Sequence, residues 1–427
     1  MVRKIAELEP VSSDEEKPWV LISAYDLSNG QTSEGYVAFN LIRELRRDHR
    51  VLIVTRENNK KYLFDDDEFL EQCAGVHIVG YDLPKWARWW KSGARFYQIY
   101  AYLWQLTWPL AIKKHSLLIS KVKLIHVLNF HNDSIPSLAW LLGPPVVWGP
   151  INHNEIVASW RRSFWPRSVS FRHVFAFTIR RAIWAFDPLL KMHSRRTRVI
   201  MSAGNWVNRR LGLPMGNGII FRSQLGVDPA MFQVPTTKTI EGRSNIIELI
   251  CAGRLDWIKG LDILIEAIAC LPENYRLSIV GSGQAKEKLI ALAKRLEVDE
   301  RIAFEPSAPR EKLNVRYKRC DLFVFTSAEV AGLVWVEALA CGLPVVAING
   351  ESEVASAARQ LPGIHLAEKK MFREEQAKSL AAAILVASDN VHRPSELRDA
   401  VLARYSWEKF ADSVRLAYDT AITPSVS

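Results

Sequence analysis

The sequence predicts an α/β protein of two doubly wound, Rossmann-like parallel sheets, and three observations carry that prediction. Short β-branched runs alternate with helical patterns through the first half, and the same rhythm restarts at Asn245. Between the two lies GVDPAMFQVPTTKTIEGRSN (226–245), a polar stretch with two prolines and two glycines. A chain of 427 residues with 48% hydrophobic content is long and apolar enough to fill two cores.

The opening MVRKIAELEPVSSDEEKPW mixes acids with Ser and Pro and has no apolar run of signal-peptide type, so residues 1–18 read as a flexible tail. Residues 19–225 read as an N-terminal, acceptor-binding domain. Its expected strands are VLISAY (20–25), VLIVT (51–55), VHIVG (76–80), LIHVL (124–128), PVVWG (145–149) and RVIMSA (198–203), with a helix over Tyr36–Arg47. Residues 226–245 read as a linker, and 246–406 as a C-terminal, donor-binding domain. There IIELICAG opens a second sheet, followed by a helix Leu261–Cys270, the strand RLSIVG (276–281), a helix Ala285–Leu296 and the strand DLFVFT (321–326). After Gly363 the pattern is mainly helical, and a last helix over 407–422 is expected to complete the first domain. Ligands of open α/β sheets bind outside the carboxyl ends of the strands, so the active site is expected in the interdomain cleft.

Composition narrows the function classes. The five cysteines are odd in number and lack CxxC spacing, which argues against a disulfide framework or a zinc site and for a reducing cytoplasm. The apolar window YQIYAYLWQLTWPLAI (97–112) is shorter than the roughly 20 residues that span a bilayer. It can lie on a membrane but not cross one. Net charge is +10, and the stretch from Ile156 to Arg210 holds twelve Lys or Arg against the single acid Asp187, which suits an anionic partner. Twelve of the fifteen tryptophans precede residue 210, many beside Lys or Arg, so segments 85–115 and 156–198 have the composition of helices lying in a membrane interface. This predicts a cytoplasmic protein, peripheral on the inner face of the plasma membrane. A buried aromatic core with a solvated basic face reads the same residues differently. A nucleic-acid binder is a further reading, because aromatics interleaved with Arg can stack bases, but no known binding module is present.

Two strand-to-helix loops carry the chemistry. GRLDWIKG (253–260) follows the strand ending at Ala252, where the unpaired N–H groups of a helix start and the cations Arg254 and Lys259 outline a diphosphate site. FTSAEVAGLVWVEALACGLPVV (325–346) has the same topology, with Gly332 before a helix beginning at Leu333. It sets two acids eight positions apart, Glu329 in the loop and Glu337 inside the helix. A carboxylate such as Glu337 can accept the paired hydroxyls of a ribose, and Glu329 would meet whatever lies beyond the phosphates. Taken singly, both acids and both cations also read as solvated surface groups. Glu337, however, is bracketed by Val334, Val336, Ala338 and Leu339, and an acid there needs a partner.

GRLDWIKGLDILIEAI (253–268), CDLFVFTSAEVAGLVWVEALACGLPVVA (320–347) and YSWEKF (405–410) together resemble the C-terminal half of the family-4 retaining glycosyltransferases of GT-B fold, whose signature is Glu, seven residues, Glu. SNGQTSEGYVAFN (28–40) and LIHVLNFHNDSIPSLAWLLGPPVVWGP (124–150) resemble a bacterial polysaccharide-synthesis branch of that family. The resemblance implies a metal-independent hexosyltransferase without cofactor, taking a nucleotide-sugar donor and a polyprenyl-diphosphate-linked saccharide acceptor. By the same resemblance Arg254 and Lys259 bind the donor diphosphate with the backbone of Gly332 and Leu333, Glu337 binds the ribose and Glu329 the transferred sugar. The Gly30 loop approaches the phosphates on closure, and His126 matches the family histidine at the sugar. No protein nucleophile is required, since the acceptor attacks from the face the nucleotide leaves.

The chain departs from the pattern in two places. Val330-Ala331-Gly332 stands where the family commonly has Gly-Phe-Gly. Ile151-Asn152-His153-Asn154 stands where the related branch has a glycine run, making Asn152 and His153 candidates for the acceptor side. On spacing alone His126 also reads as a satisfied core histidine. GSGQAK (281–286) lacks the third glycine of a dinucleotide fingerprint and reads as a tight turn. No DxD pair of metal-binding type is found, only DDD at 65–67 in an acidic stretch. The same fold would serve a transferase for a soluble acceptor or a nucleotide-sugar epimerase.

Overall fold

The computed structural model describes residues 17–30, 32–91, 93, 96–114, 119–128, 132–213, 218–234 and 245–423. Residues 1–16 of the expected tail and 235–244 of the expected linker lie outside them. The chain divides into two compact units, one of Met1–His153, Thr178–Gln224 and Trp407–Ser427, the other of Asn154–Phe177 and Leu225–Ser406. An uninterrupted N-terminal domain over 19–225 is therefore corrected: Asn154–Phe177 belongs to the second unit. Residues 225–234 also belong there, anchored by a bridge from Val227 to Ser406.

The first unit holds a seven-stranded parallel sheet of β1 (Trp19–Ala24), β2 (Arg50–Thr55), β3 (His77–Gly80), β4 (Val122–Leu128), β5 (Val146–Ile151), β6 (Val199–Ser202) and β7 (Ile219–Phe221). Its order is β3-β2-β1-β4-β5-β6-β7, so the winding reverses between β1 and β4. The second unit holds β8 (Ile247–Ala252), β9 (Tyr275–Val280), β10 (Ile302–Glu305), β11 (Leu322–Phe325), β12 (Val345–Ile348) and β13 (Ile364–Ala367) in the order β10-β9-β8-β11-β12-β13. Here the reversal falls between β8 and β11, whose pairing sets Leu322 against Leu249 and Phe323 against Ile250. Helices cover parallel sheets on both faces, which is why β1 is buried at every position. The strands β7, β10, β12 and β13 are absent from the expected list; after Gly363 the chain is mainly helical as expected, with the short β13 the strand that reading left out.

In the first unit, Thr32 caps the helix Ser33–Leu45 by accepting from the Gly35 N–H at 3.0 Å. The helix Trp407–Ile422 buries Phe410, Val414, Ala417, Tyr418 and Ala421, and its Arg415 clasps Asp48 at 2.7 Å. The apolar window 97–112 is a helix with an inward face, and Ile99 and Leu110 on it are exposed. It turns Tyr100, Trp104, Trp108 and Ile112 inward, a stripe at helical spacing, and the Trp104 indole donates to the Tyr81 carbonyl at 2.8 Å. Among the described residues no helix is long and apolar enough to cross a membrane.

Two buried histidines make this unit sensitive to acid. Burial pulls His126 down to about 4 and His193 down to about 3. Both are neutral in the folded protein, whereas the unfolded chain takes up protons near pH 6.5. Stability is thus fully present above that pH and is lost as the pH falls toward the folded values, by about 2 kcal/mol per histidine at pH 5. The urea midpoint should drop between pH 7 and pH 5, and His126→Asn should flatten the slope. A slope unchanged in the variant would refute His126 as a source.

Candidate active site

The reversal in the second sheet places the loops after β8 and β11 side by side. Gly253–Gly260 leads from β8 into the helix Leu261–Ala269, and 326–332 leads from β11 into the helix Leu333–Ala340. The Thr326 hydroxyl donates to the Lys259 carbonyl at 2.8 Å and the Ala328 N–H to the Ile258 carbonyl at 2.9 Å, so the two loops form one wall. Neither helix start has a side-chain cap, which leaves its first N–H groups available to an anion. Gly253, Arg254, Lys259, Leu261, Thr326 and Ser327 line a pocket at the start of the first of these helices.

Glycines make the close approach possible. Gly260 is left-handed at φ +64°, and a Cβ there would lie 2.7 Å from the Thr326 carbonyl oxygen. Behind the loop, Ser282 of the GSG turn accepts the Leu255 N–H at 2.9 Å, and a Cβ on Gly281 would lie 1.9 Å from the Gly253 oxygen. The expected tight turn is thus the support of the phosphate-type loop. Gly281→Ala should displace that loop and cost about 1–3 kcal/mol of stability, as overpacking against backbone does. Thermal unfolding checks this, and an unshifted Tm would overturn it.

The predicted charges of the two loops meet. Lys259 and Glu329 form an ion pair, both half-buried, while Arg254 is mostly exposed and pairs with Asp256 at 2.9 Å. Gly332 has an extended backbone that any residue can adopt, but a Cβ would sit 3.0 Å from the Phe325 ring, and Leu333 opens the helix beyond it. Glu337 is buried and accepts from Arg310 Nε at 2.9 Å. Burial pushes its carboxyl up and the Arg310 guanidinium pulls it partly back. Reading the loops in sequence missed Arg310. The apolar bracket around Glu337 showed that a partner was needed, but not which one.

The first unit holds the other candidates. Gly30 lies in the turn after β1 at φ +89°, exposed, at that sheet's reversal. His126 is a correction: it has no exposure inside β4, and its ring nitrogens meet the Tyr418 hydroxyl at 2.9 Å and the Gly149 carbonyl at 2.6 Å. With both nitrogens engaged in the core, it does not face a sugar. Asn152 is turned inward and accepts from the Trp206 indole at 3.0 Å. His153 lies edge-on to Trp184, and its carbonyl accepts from Arg210 at 3.3 Å. In the DDD stretch, Asp66 caps the helix Asp67–Gln72. Among the described residues no three His, Cys, Asp or Glu side chains gather to hold a metal ion.

The basic, tryptophan-rich segments divide between core and surface. Trp104, Trp108, Trp165 and Trp184 are buried, whereas Trp86 is 79% exposed and Trp89 83%. On the helix Arg167–Phe186, Phe171, Phe175 and Ile179 are exposed at four-residue spacing.

Residues 238–399 match the family model described as glycosyl transferases group 1. The D-inositol 3-phosphate glycosyltransferase of Segniliparus rotundus is 29% identical over 215 residues, 48% of this chain and 44% of that protein. Its namesake in Mycolicibacterium smegmatis is 40% identical over 124 residues, 28% of this chain and 26% of that one. The matched stretches thus span less than half the length of these relatives. Among solved structures, Anabaena HepE in complex with UDP has a TM-score of 0.62 at 15% identity, covering 94% of this chain and 100% of that one. The lipopolysaccharide outer core galactosyltransferase WaaB has a TM-score of 0.62 at 12% identity, covering 94% and 99%. The two doubly wound units match the GT-B fold of glycosyltransferase structures, and the second unit carries a stretch similar to the glycosyl transferases group 1 domain.

Proposed function

We propose that the protein is a retaining, metal-independent glycosyltransferase that moves a sugar from a nucleotide donor to a lipid-linked saccharide in cell-surface polysaccharide synthesis. The observation that carries this reading is the second unit's pair of loops, joined to each other and each leading into an uncapped helix start, with Lys259 at the pocket paired to Glu329 and Glu337 buried in the second helix. As the glycosidic bond breaks, negative charge builds on the leaving diphosphate. Lys259, Arg254 and the helix N–H groups answer it in place, without a metal or any other cofactor. Glu337 takes the ribose and Glu329 the sugar. HepE, similar in fold, was solved with UDP, which makes UDP-sugars the first donors to try.

A lipid-linked acceptor is favoured by the exposed Trp86, Trp89, Phe171 and Phe175 among Lys and Arg, the chemistry of a peripheral protein on the anionic inner face of a membrane. The second reading, a soluble acceptor, is favoured by the names of the curated relatives, which act on an inositol phosphate. The deciding experiment is titration calorimetry of the whole chain with UDP, GDP, ADP and their sugars, with and without EDTA, followed by flotation with anionic liposomes. Binding that survives EDTA supports the donor site, and binding to none of them refutes it. Flotation separates the two acceptors: protein that stays with the soluble fraction supports the inositol-phosphate type.

A further inference from the structure

We infer that Asn154 and Arg161 are positioning residues that clamp the Glu329 loop from both sides. This rests on the reading of that loop as part of the donor site. Both come from Asn154–Phe177, which the chain supplies to the second unit long before the rest of that unit begins at Leu225.

The loop 326–332 has no ladder of its own, so its place depends on what its backbone groups find. Arg161 donates to the Thr326 carbonyl at 2.7 Å, and Asn154 Oδ1 accepts the Val330 N–H at 3.0 Å. Thr326 lies three residues before Glu329 and Val330 one residue after it. A further bond, from the Glu353 N–H to the Val330 carbonyl at 2.7 Å, ties the same residue to the next helix. Arg161 also fills the space beside Gly260, where a Cβ would come within 2.3 Å of its terminal nitrogen, so one guanidinium touches both loops. Neither Asn154 nor Arg161 lines the pocket. They act through Glu329 and the helix starts rather than on a ligand.

The segment is held in place by other means, which makes the clamp separable from the fold. Trp160 and Phe164 pack against the second unit's core. Phe164 lies 6.1 Å from the Trp257 ring, with the Arg373 guanidinium 5.1 Å above it. Within the segment, Arg162 donates to Ser170 at 2.7 Å and Val157 to His173 Nε2 at 3.1 Å. Removing the Asn154 amide therefore frees the loop without releasing the segment.

The test is hydrogen exchange and kinetics on Asn154→Ala, Asn154→Asp and Arg161→Ala in the whole chain. Asn154→Ala should speed amide exchange in peptides covering 326–333 while leaving the rest of the unit protected. It should lower kcat for sugar transfer about tenfold, the worth of one lost hydrogen bond, with UDP affinity and donor KM within about twofold. Asn154→Asp retains the acceptor oxygen and should restore both exchange and kcat. Arg161→Ala should loosen 326–328 and the Gly260 region together. Unchanged exchange in Asn154→Ala overturns the clamp, and so does faster exchange with unaltered kcat. If the wild-type protein binds no nucleotide, the transferase reading fails, and exchange alone then upholds or overturns the clamp.

Discussion

Glu329→Ala should lower kcat/KM for sugar transfer about a hundredfold while UDP binds no more weakly than to the wild type. The size follows from losing charge-assisted hydrogen bonds to the sugar, each worth about 1.5–3 kcal/mol, or ten- to more than a hundredfold in rate. The unusual part is the sign of the second effect. Glu329 is the ion-pair partner of Lys259, so removing the acid releases the cation toward the diphosphate. Lys259→Ala should instead weaken both UDP affinity and turnover, because the cation serves bound and departing phosphates alike. Calorimetry with UDP alongside steady-state kinetics decides the matter. A Glu329→Ala protein that loses UDP affinity in step with activity would place the acid at the nucleotide, not at the sugar.

Glu337→Ala should weaken UDP binding by about ten- to a hundredfold, the worth of charge-assisted bonds to two ribose hydroxyls, and should also lower the melting temperature. The stability effect arises because Arg310 is left beside an apolar helix without its carboxylate. Truncating one member of a buried pair costs about 3–5 kcal/mol, and less here because the Arg310 side chain is 20% exposed. Glu337→Gln keeps one acceptor oxygen and the shape, so it should restore much of the stability and less of the affinity. Thermal unfolding and calorimetry on the two variants separate these roles. Equal UDP affinity in wild type and Glu337→Ala would remove the ribose assignment.

The long central strands and the site loops were legible in the sequence for one reason. β1, β2, β8 and β9 are six-residue strands dominated by apolar residues, and a strand-to-helix loop with glycines next to such a strand announces a ligand site before any partner is known. The short strands escaped because three or four residues carry too little pattern: IIF of β7 is half-exposed, and VVAI of β12 reads as the tail of the preceding helix motif. The partners were beyond reach because each lies far away in the chain. Arg310 is 27 residues from Glu337, Arg161 165 from Thr326 and Asn154 176 from Val330. Nothing in the composition of Asn154–Phe177 distinguishes it from its neighbours, so its change of unit left no local mark. His126 is the reverse case. In the central strand β4 every position from Leu124 to Leu128 is buried, and the Tyr418 that satisfies the His126 ring lies 292 residues on.

The helix Trp407–Ile422 belongs to the unit that Trp19 begins. On a ribosome adding about 5–20 residues per second, the first unit to be started is the last to be finished. Until Phe410, Val414 and Tyr418 emerge, the apolar surface they cover and the ring of His126 face water, while the second unit already has all its strands. A nascent chain of this architecture carries an open hydrophobic face until that helix emerges, and products that stop short of it should depend on chaperones in a way that chains containing it do not.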